Sequence, residues 1–158
     1  MWQWRDVQLT SSRVEKTLQY YSDIMTSKLE SVIQSVANGS RPHLVDLSNE
    51  GLTEFPIELL DLCDCLEVLN LGGNRLQSLP QRFVEFKKLR VLFFAQNCFT
   101  VIPSILGEVA SLRMVSFKSN QVSVVPPDSL SPSITWLILT DNQIEGNMVI
   151  IIWVFKYI

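Results

Sequence analysis

The sequence predicts an α/β repeat solenoid of about five coils, with a parallel β-sheet on its concave side and a helical cap at the N-terminus. Two observations support this prediction. First, one apolar stripe with helical spacing runs from Val14 to Val36, within the helical cap predicted over residues 1–40. Second, apolar anchor residues then recur with spacings of 24, 23, 23 and 22 residues. These anchors are Leu47, Leu71, Phe94, Phe117 and Leu139.

The first predicted element is the helical cap. Ser12 and Glu15 have the spacing of a capping box, which marks the start of a helix. The apolar stripe after them predicts one helix of about 25 residues, ended by Asn38-Gly39 and Pro42. The stripe consists of Val14, Leu18, Tyr21, Met25, Leu29, Val32 and Val36. We expect it to cover the open edge of the first coil, the alternative being a coiled-coil or partner-binding helix.

The solenoid is predicted over residues 41–146. In each coil an apolar pair separated by one residue, such as Leu69 and Leu71, predicts a short strand with one buried face. An asparagine recurs three residues after the anchor, and we expect its amide to bond backbone groups of its own coil and of the adjacent one. A recurrent proline then fixes φ where the chain leaves for the convex side. The asparagines are Asn74, Asn97, Asn120 and Asn142.

Two coils and the C-terminal tail depart from this pattern. The first coil has Glu50 at the asparagine position, as expected of a terminal repeat. The fourth has Ser129 and Pro132 where other coils are apolar, which predicts a convex stretch without a helix. Residues 147–158 form an apolar, β-prone tail. We expect this tail either to add a final strand or, as the favoured interpretation, to be the truncated terminus of a longer repeat protein.

The aligned coils share the pattern LxxLxLxxNxLxxLP, which resembles the intracellular LxxLP type of the leucine-rich repeat family. The resemblance covers about 105 residues, from Pro42 to Gly146. It implies a horseshoe-shaped solenoid that acts as a protein–protein interaction module or signalling scaffold. The coils look like those of plant Ras-group proteins, and the segment from Trp136 to Ile144 is similar to repeats of leucine-rich-repeat kinases. The alternative function is therefore a regulatory N-terminal fragment of such a kinase, whose catalytic domain is absent from this chain.

We expect this chain to have no enzymatic activity, no cofactor and no metal site. His43 is the only histidine, and a nucleophilic site there would need Asp46 and Ser48 beside it. Cys63 and Cys65 provide two thiols, whereas a structural zinc ion needs four ligands. The sequence also lacks the glycine-rich motifs that bind phosphate groups.

The outward residues are predicted to form four columns across the concave face, two of which contain the large apolar side chains. The outer column is Leu44, Val68, Val91, Met114 and Trp136, and the inner column is Asp46, Asn70, Phe93, Ser116 and Ile138. Large apolar side chains on such a face are typical of protein interfaces, although strand propensity alone also favours valine there. The predicted partner-binding residues are Phe93, Met114, Trp136, Ile138 and Val91.

Composition narrows the class of partner and the compartment. The 158 residues carry 13 basic and 16 acidic side chains, a net charge of −3, which disfavours nucleic acid as the partner and leaves a protein. No apolar run of signal-peptide type follows the N-terminus, so we expect a cytoplasmic protein with reduced cysteines. The longest apolar run, Met148 to Phe155, is far shorter than the roughly 20 residues of a membrane-spanning helix, and we expect no membrane span.

Overall fold

A computed structural model describes residues 27–144 and 151–153 of the chain. Five short strands lie parallel and in sequence order in one sheet, one strand from each coil. They are β1 (Leu44–Asp46), β2 (Val68–Asn70), β3 (Val91–Phe93), β4 (Met114–Ser116) and β5 (Trp136–Ile138). The predicted repeat solenoid with a parallel sheet is therefore confirmed.

A sixth strand, β6 (Ile151–Trp153), pairs with β5 in the antiparallel direction. This strand lies in the tail that follows the repeats, and it agrees with one of the two interpretations of that tail, an added final strand. It occupies the last position in the sheet order, so β5 is hydrogen-bonded on both sides. The boundaries predicted for the cap, solenoid and tail remain predictions.

The strands form because apolar and outward residues alternate along them. The central residue of each strand points inward and is buried: Val45, Leu69, Leu92, Val115 and Leu137. The next inward residue, the anchor of each coil, is also buried. Since no single coil can bury these side chains alone, the core is shared between neighbouring coils.

Three convex stretches contain short 3₁₀ helices, each directly after a proline of the repeat. They span Ile57–Leu62, Gln81–Glu85 and Ser104–Glu108. The fourth convex stretch lacks such a helix, as its serines and prolines predict. There, the buried Ser129 hydroxyl donates to the Pro126 carbonyl at 2.6 Å. The chain passes so close to Gly107 that an added Cβ would clash with the main chain of Asp128.

A helix begins inside the apolar stripe, at Lys28. Helix α1 spans Lys28–Ala37 and is capped by Ser27, whose backbone is extended, with φ −60° and ψ 154°. The Ser27 hydroxyl accepts a hydrogen bond from the Glu30 N–H at 3.1 Å, and the Glu30 carboxylate accepts one from the Ser27 N–H at 3.3 Å. The prediction of one continuous helix through Ser27 is therefore wrong. The capping box predicted at Ser12 and Glu15 lies outside the described residues.

Helix α1 ends where the sequence predicts. Gly39, just beyond it, has a φ of +87°, and its N–H donates to the Val36 carbonyl at 2.9 Å. Leu29, Val32 and Val36 are partly buried and pack against the hydrophobic core. The apolar face of α1 thus contacts the first coil, in the manner expected of a cap.

Candidate protein-binding face

The register of the sheet aligns the outward strand residues into the outer and inner columns predicted from the sequence. Leu44, Val68, Val91, Met114 and Trp136 pair in turn across the five parallel strands and form the outer column. The inner column pairs in the same way and consists of Asp46, Asn70, Phe93, Ser116 and Ile138. All five predicted partner-binding residues therefore lie next to one another on one face, although their binding role remains a prediction.

Exposure along the outer column is greatest at its two ends. Leu44 is 61% exposed and Trp136 is 43% exposed. The three residues between them are partly buried. Monomeric proteins seldom leave a continuous row of large apolar side chains accessible, so this column is a candidate contact surface.

The inner column changes from polar to apolar along the solenoid. At the polar end, the Asp46 carboxylate accepts hydrogen bonds from the Ser48 N–H at 2.8 Å and from the Asn70 amide at 3.2 Å. The hydrogen bonds from Ser48, helped by the one from Asn70, hold the pKa of Asp46 below its ordinary value. At the other end, partly buried Phe93 and Ile138 flank the buried Ser116.

The recurrent asparagines hold the coils together behind this face. Asn97 is 6% exposed, and its amide donates to the carbonyls of Leu71 in the preceding coil and Phe94 in its own coil, at 2.9 and 3.1 Å. Its side-chain oxygen accepts the Leu76 N–H at 2.9 Å. Asn74, Asn120 and Asn142 each bond two adjacent coils in the same way.

The sequence did not predict a left-handed backbone position in every coil. The residue before each turn asparagine, and its counterpart in the first coil, has a φ between 55° and 68°. These residues are Asn49, Gly73, Gln96, Ser119 and Asp141. Glycine, asparagine and aspartate adopt this conformation most readily, so the residue type could have indicated it in three of the five coils. Gln96 and Ser119 carried no such signal, and only the repeat alignment could have placed them.

Of the residues considered for catalysis, Asp46 and Ser48 are hydrogen-bonded to each other, whereas the bond of His43 is with Glu67. His43 Nδ1 lies 3.1 Å from a Glu67 oxygen, while the Asp46 carboxylate bonds Ser48 and Asn70. Burial raises the pKa of the Cys65 thiol. Within residues 27–144 and 151–153, no group of three or more metal-ligating side chains occurs, and no helix is long and apolar enough to span a membrane.

Comparison with known proteins supports the architecture. The model of the family described as Leucine Rich Repeat matches residues 65–86. A solved leucine-rich repeat protein of Leptospira interrogans superposes with a TM-score of 0.58 and 26% identity, covering 63% of this chain and 26% of that one. The leucine-rich repeat ectodomain of a receptor kinase of Arabidopsis thaliana gives a TM-score of 0.52 and 25% identity, over 64% of this chain and 56% of that one.

Sequence relatives are much longer multidomain proteins. The mouse leucine-rich repeat and calponin homology domain-containing protein 1 is 32% identical over 119 residues, which is 73% of this chain and 16% of that protein. The human PH domain leucine-rich repeat-containing protein phosphatase 1 is 27% identical over 64% of this chain and 6% of its own length. This chain therefore spans only a small part of these relatives. Its repeat pattern, its stacked parallel strands and these similarities agree, and they support a leucine-rich repeat family for this chain.

Proposed function

We propose that this chain is a protein–protein interaction module that engages its partner through the concave sheet. The observation that carries the proposal is the pair of in-register columns, which place Val91, Phe93, Met114, Trp136 and Ile138 on one accessible face. Aromatic residues and methionine are enriched at the buried centres of protein interfaces. A partner with complementary apolar side chains would bury this face.

Charge is sparse on the same part of the sheet. Strands β3, β4 and β5 contain no charged residue, and the acidic Asp46 lies at the opposite end of the inner column. Binding there would draw on burial of apolar surface, at about 25 cal/mol per Å², more than on ion pairs. We propose that the partner contributes an apolar surface at this end of the concave face.

A capture experiment with matched variants tests the proposal. The immobilised chain, its Phe93→Ser/Trp136→Ser variant and an Ile57→Ser/Val124→Ser control are incubated with lysate, and captured proteins are quantified. The control removes apolar residues that are also exposed, by 48% and 51%, but lie outside the concave strands. We expect at least one protein to be captured by the control variant as by the parent, and the concave variant to capture about tenfold or more less of it. A loss of this size is typical when residues that dominate the binding energy of an interface are removed.

Thermal stability of all three proteins is measured in parallel. If both variants melt near the parent and capture the same proteins in equal amounts, the concave face is not the binding surface. A loss of capture that occurs only in the control variant contradicts the proposal in the same way.

A second candidate is an interaction domain within a larger signalling enzyme. The observation that favours it is the nature of the relatives, which include a protein phosphatase and a probable inactive serine/threonine-protein kinase of Dictyostelium discoideum. The kinase is 29% identical over 75% of this chain but only 4% of its own length. Sequencing full-length transcripts past the codon for Glu145 tests this candidate. Further repeats followed by a catalytic domain would support it, and a stop codon after Ile158 in every transcript would contradict it.

A further inference from the structure

Four basic side chains gather at the edge of the sheet where the strands begin. Arg90 and Arg113 directly precede β3 and β4 at equivalent positions, and two lysines lie in the turn before β3. These side chains line a surface pocket of about 300 Å³, called here the basic pocket. Its lining residues are Glu67, Lys87, Lys88, Arg90, Ser111 and Arg113.

The cations of the basic pocket form no ion pair with a carboxylate within the described part of the chain. The ion pairs found there involve other basic residues, namely Lys28, Arg41, His43 and Arg82. Glu67, the acidic residue of the pocket, contacts His43 at 3.1 Å. Arg113 directs one guanidinium nitrogen to the main chain, including the Leu112 carbonyl at 2.9 Å. Four cations therefore share one pocket with a single carboxylate, and none of the four forms an ion pair with a residue of 27–144.

This cluster is not a consequence of composition or of the repeat. The chain has more acidic than basic residues, 16 against 13, so basic side chains are not in excess. The position before the strand is basic only in the coils of β3 and β4, whereas the other coils have His43, Glu67 and Thr135 there. Like charges on adjacent strands repel one another, and a bound anion would relieve that repulsion.

The position of the basic pocket indicates which anion it would take. Arg90 and Arg113 are the immediate chain neighbours of Val91 and Met114, two residues of the outer column. If the apolar side chains of a bound peptide lie over that column, the neighbouring residues of the same peptide would reach the basic pocket. We propose that the basic pocket binds carboxylates of an acidic segment in the protein partner of the concave face. This inference rests on the proposed function.

A labelled octaglutamate peptide provides the probe. Its binding to the full chain is followed by fluorescence anisotropy at low salt, for the parent, Lys88→Gln/Arg90→Gln and Arg75→Gln/Arg82→Gln. All four substituted residues are exposed, so both variants remove two surface charges and should melt like the parent. We expect the pocket variant to bind about fivefold or more weakly, with a shallower salt dependence, and the control variant to bind like the parent.

Three outcomes would overturn the inference: no binding of octaglutamate to the parent, equal weakening in both variants, or tighter pocket-dependent binding of inorganic phosphate or single-stranded RNA. Because the probe needs no partner, the result is independent of the capture experiment. Failed capture with pocket-dependent peptide binding would remove the proposed function. Successful capture without pocket-dependent peptide binding would remove only the present inference.

Discussion

Replacing Phe94 with alanine should lower the free energy of unfolding by about 3–5 kcal/mol, the usual cost of deleting a fully buried phenylalanine ring. Phe94 is 0% exposed and is the inward anchor of the third coil. Its ring centroid lies 5.0 Å from that of Phe99 in the same coil and 5.2 Å from that of Phe117 in the next. The substitution would leave a cavity between two coils in the middle of the stack, where the core is shared. Urea denaturation of parent and variant measures the change.

The adjacent residue provides the matched control. Phe93 carries the same side chain but faces outward from β3 and is only partly buried. Phe93→Ala should therefore cost less than about 1 kcal/mol, in the range of surface substitutions. Equal destabilisation by Phe93→Ala and Phe94→Ala would mean that the strand does not alternate between core and concave face as described.

Asn97→Ala should lower the free energy of unfolding by about 1–3 kcal/mol, because it leaves the buried Leu76 N–H without a partner. The side chain also donates to the Leu71 carbonyl of one coil and the Phe94 carbonyl of the next. Each of these carbonyls would lose one of two donors and keep the other, Asn74 or Asn120. Water cannot readily replace a side chain that is 6% exposed. The measurement is again urea denaturation, supported by hydrogen exchange of the Leu76 amide, which should accelerate.

Two further variants separate the hydrogen bonds from general effects of substitution. Asn97→Asp keeps an oxygen acceptor but cannot donate to either carbonyl when ionised, so it should destabilise the protein at least as much as alanine does. Gln96→Ala removes the exposed side-chain amide next to Asn97, and its free energy of unfolding should stay within about 0.5 kcal/mol of that of the parent. An Asn97→Ala protein as stable as Gln96→Ala would refute the proposed role of the asparagine bridges.

The columns of the concave face were predictable because the repeat is strict. Once the anchors were aligned at 23 or 24 residues through four coils, the alternation of strand side chains determined which residues are neighbours. The observed pairing of Val91 with Met114 and of Phe93 with Ser116 follows that alignment. The helix-free fourth convex stretch was predictable for a related reason, since Ser129 and Pro132 occupy positions that are apolar in other coils.

The start of the helix, the left-handed backbone positions and the basic pocket could not be predicted from the spacing of apolar residues. The apolar stripe continues through Ser27, yet the local hydrogen bonds between Ser27 and Glu30 start a helix at that point. The left-handed backbone of Gln96 and Ser119 is imposed by the turn shared by all coils rather than by their own preferences. The basic pocket brings Lys87 and Arg113 together across a coil boundary, and no motif in the sequence indicates that juxtaposition.

The most direct test of the central proposal, a partner seated on the concave sheet, is site-specific photo-crosslinking. A benzophenone amino acid is placed at Val91 or Met114 on the concave face, or at Gln81 or Glu108 in the convex 3₁₀ helices. The proposal predicts that both concave positions form an adduct with the same protein and that neither convex position does. Adducts formed only from Gln81 or Glu108, or equally from both faces, would contradict it.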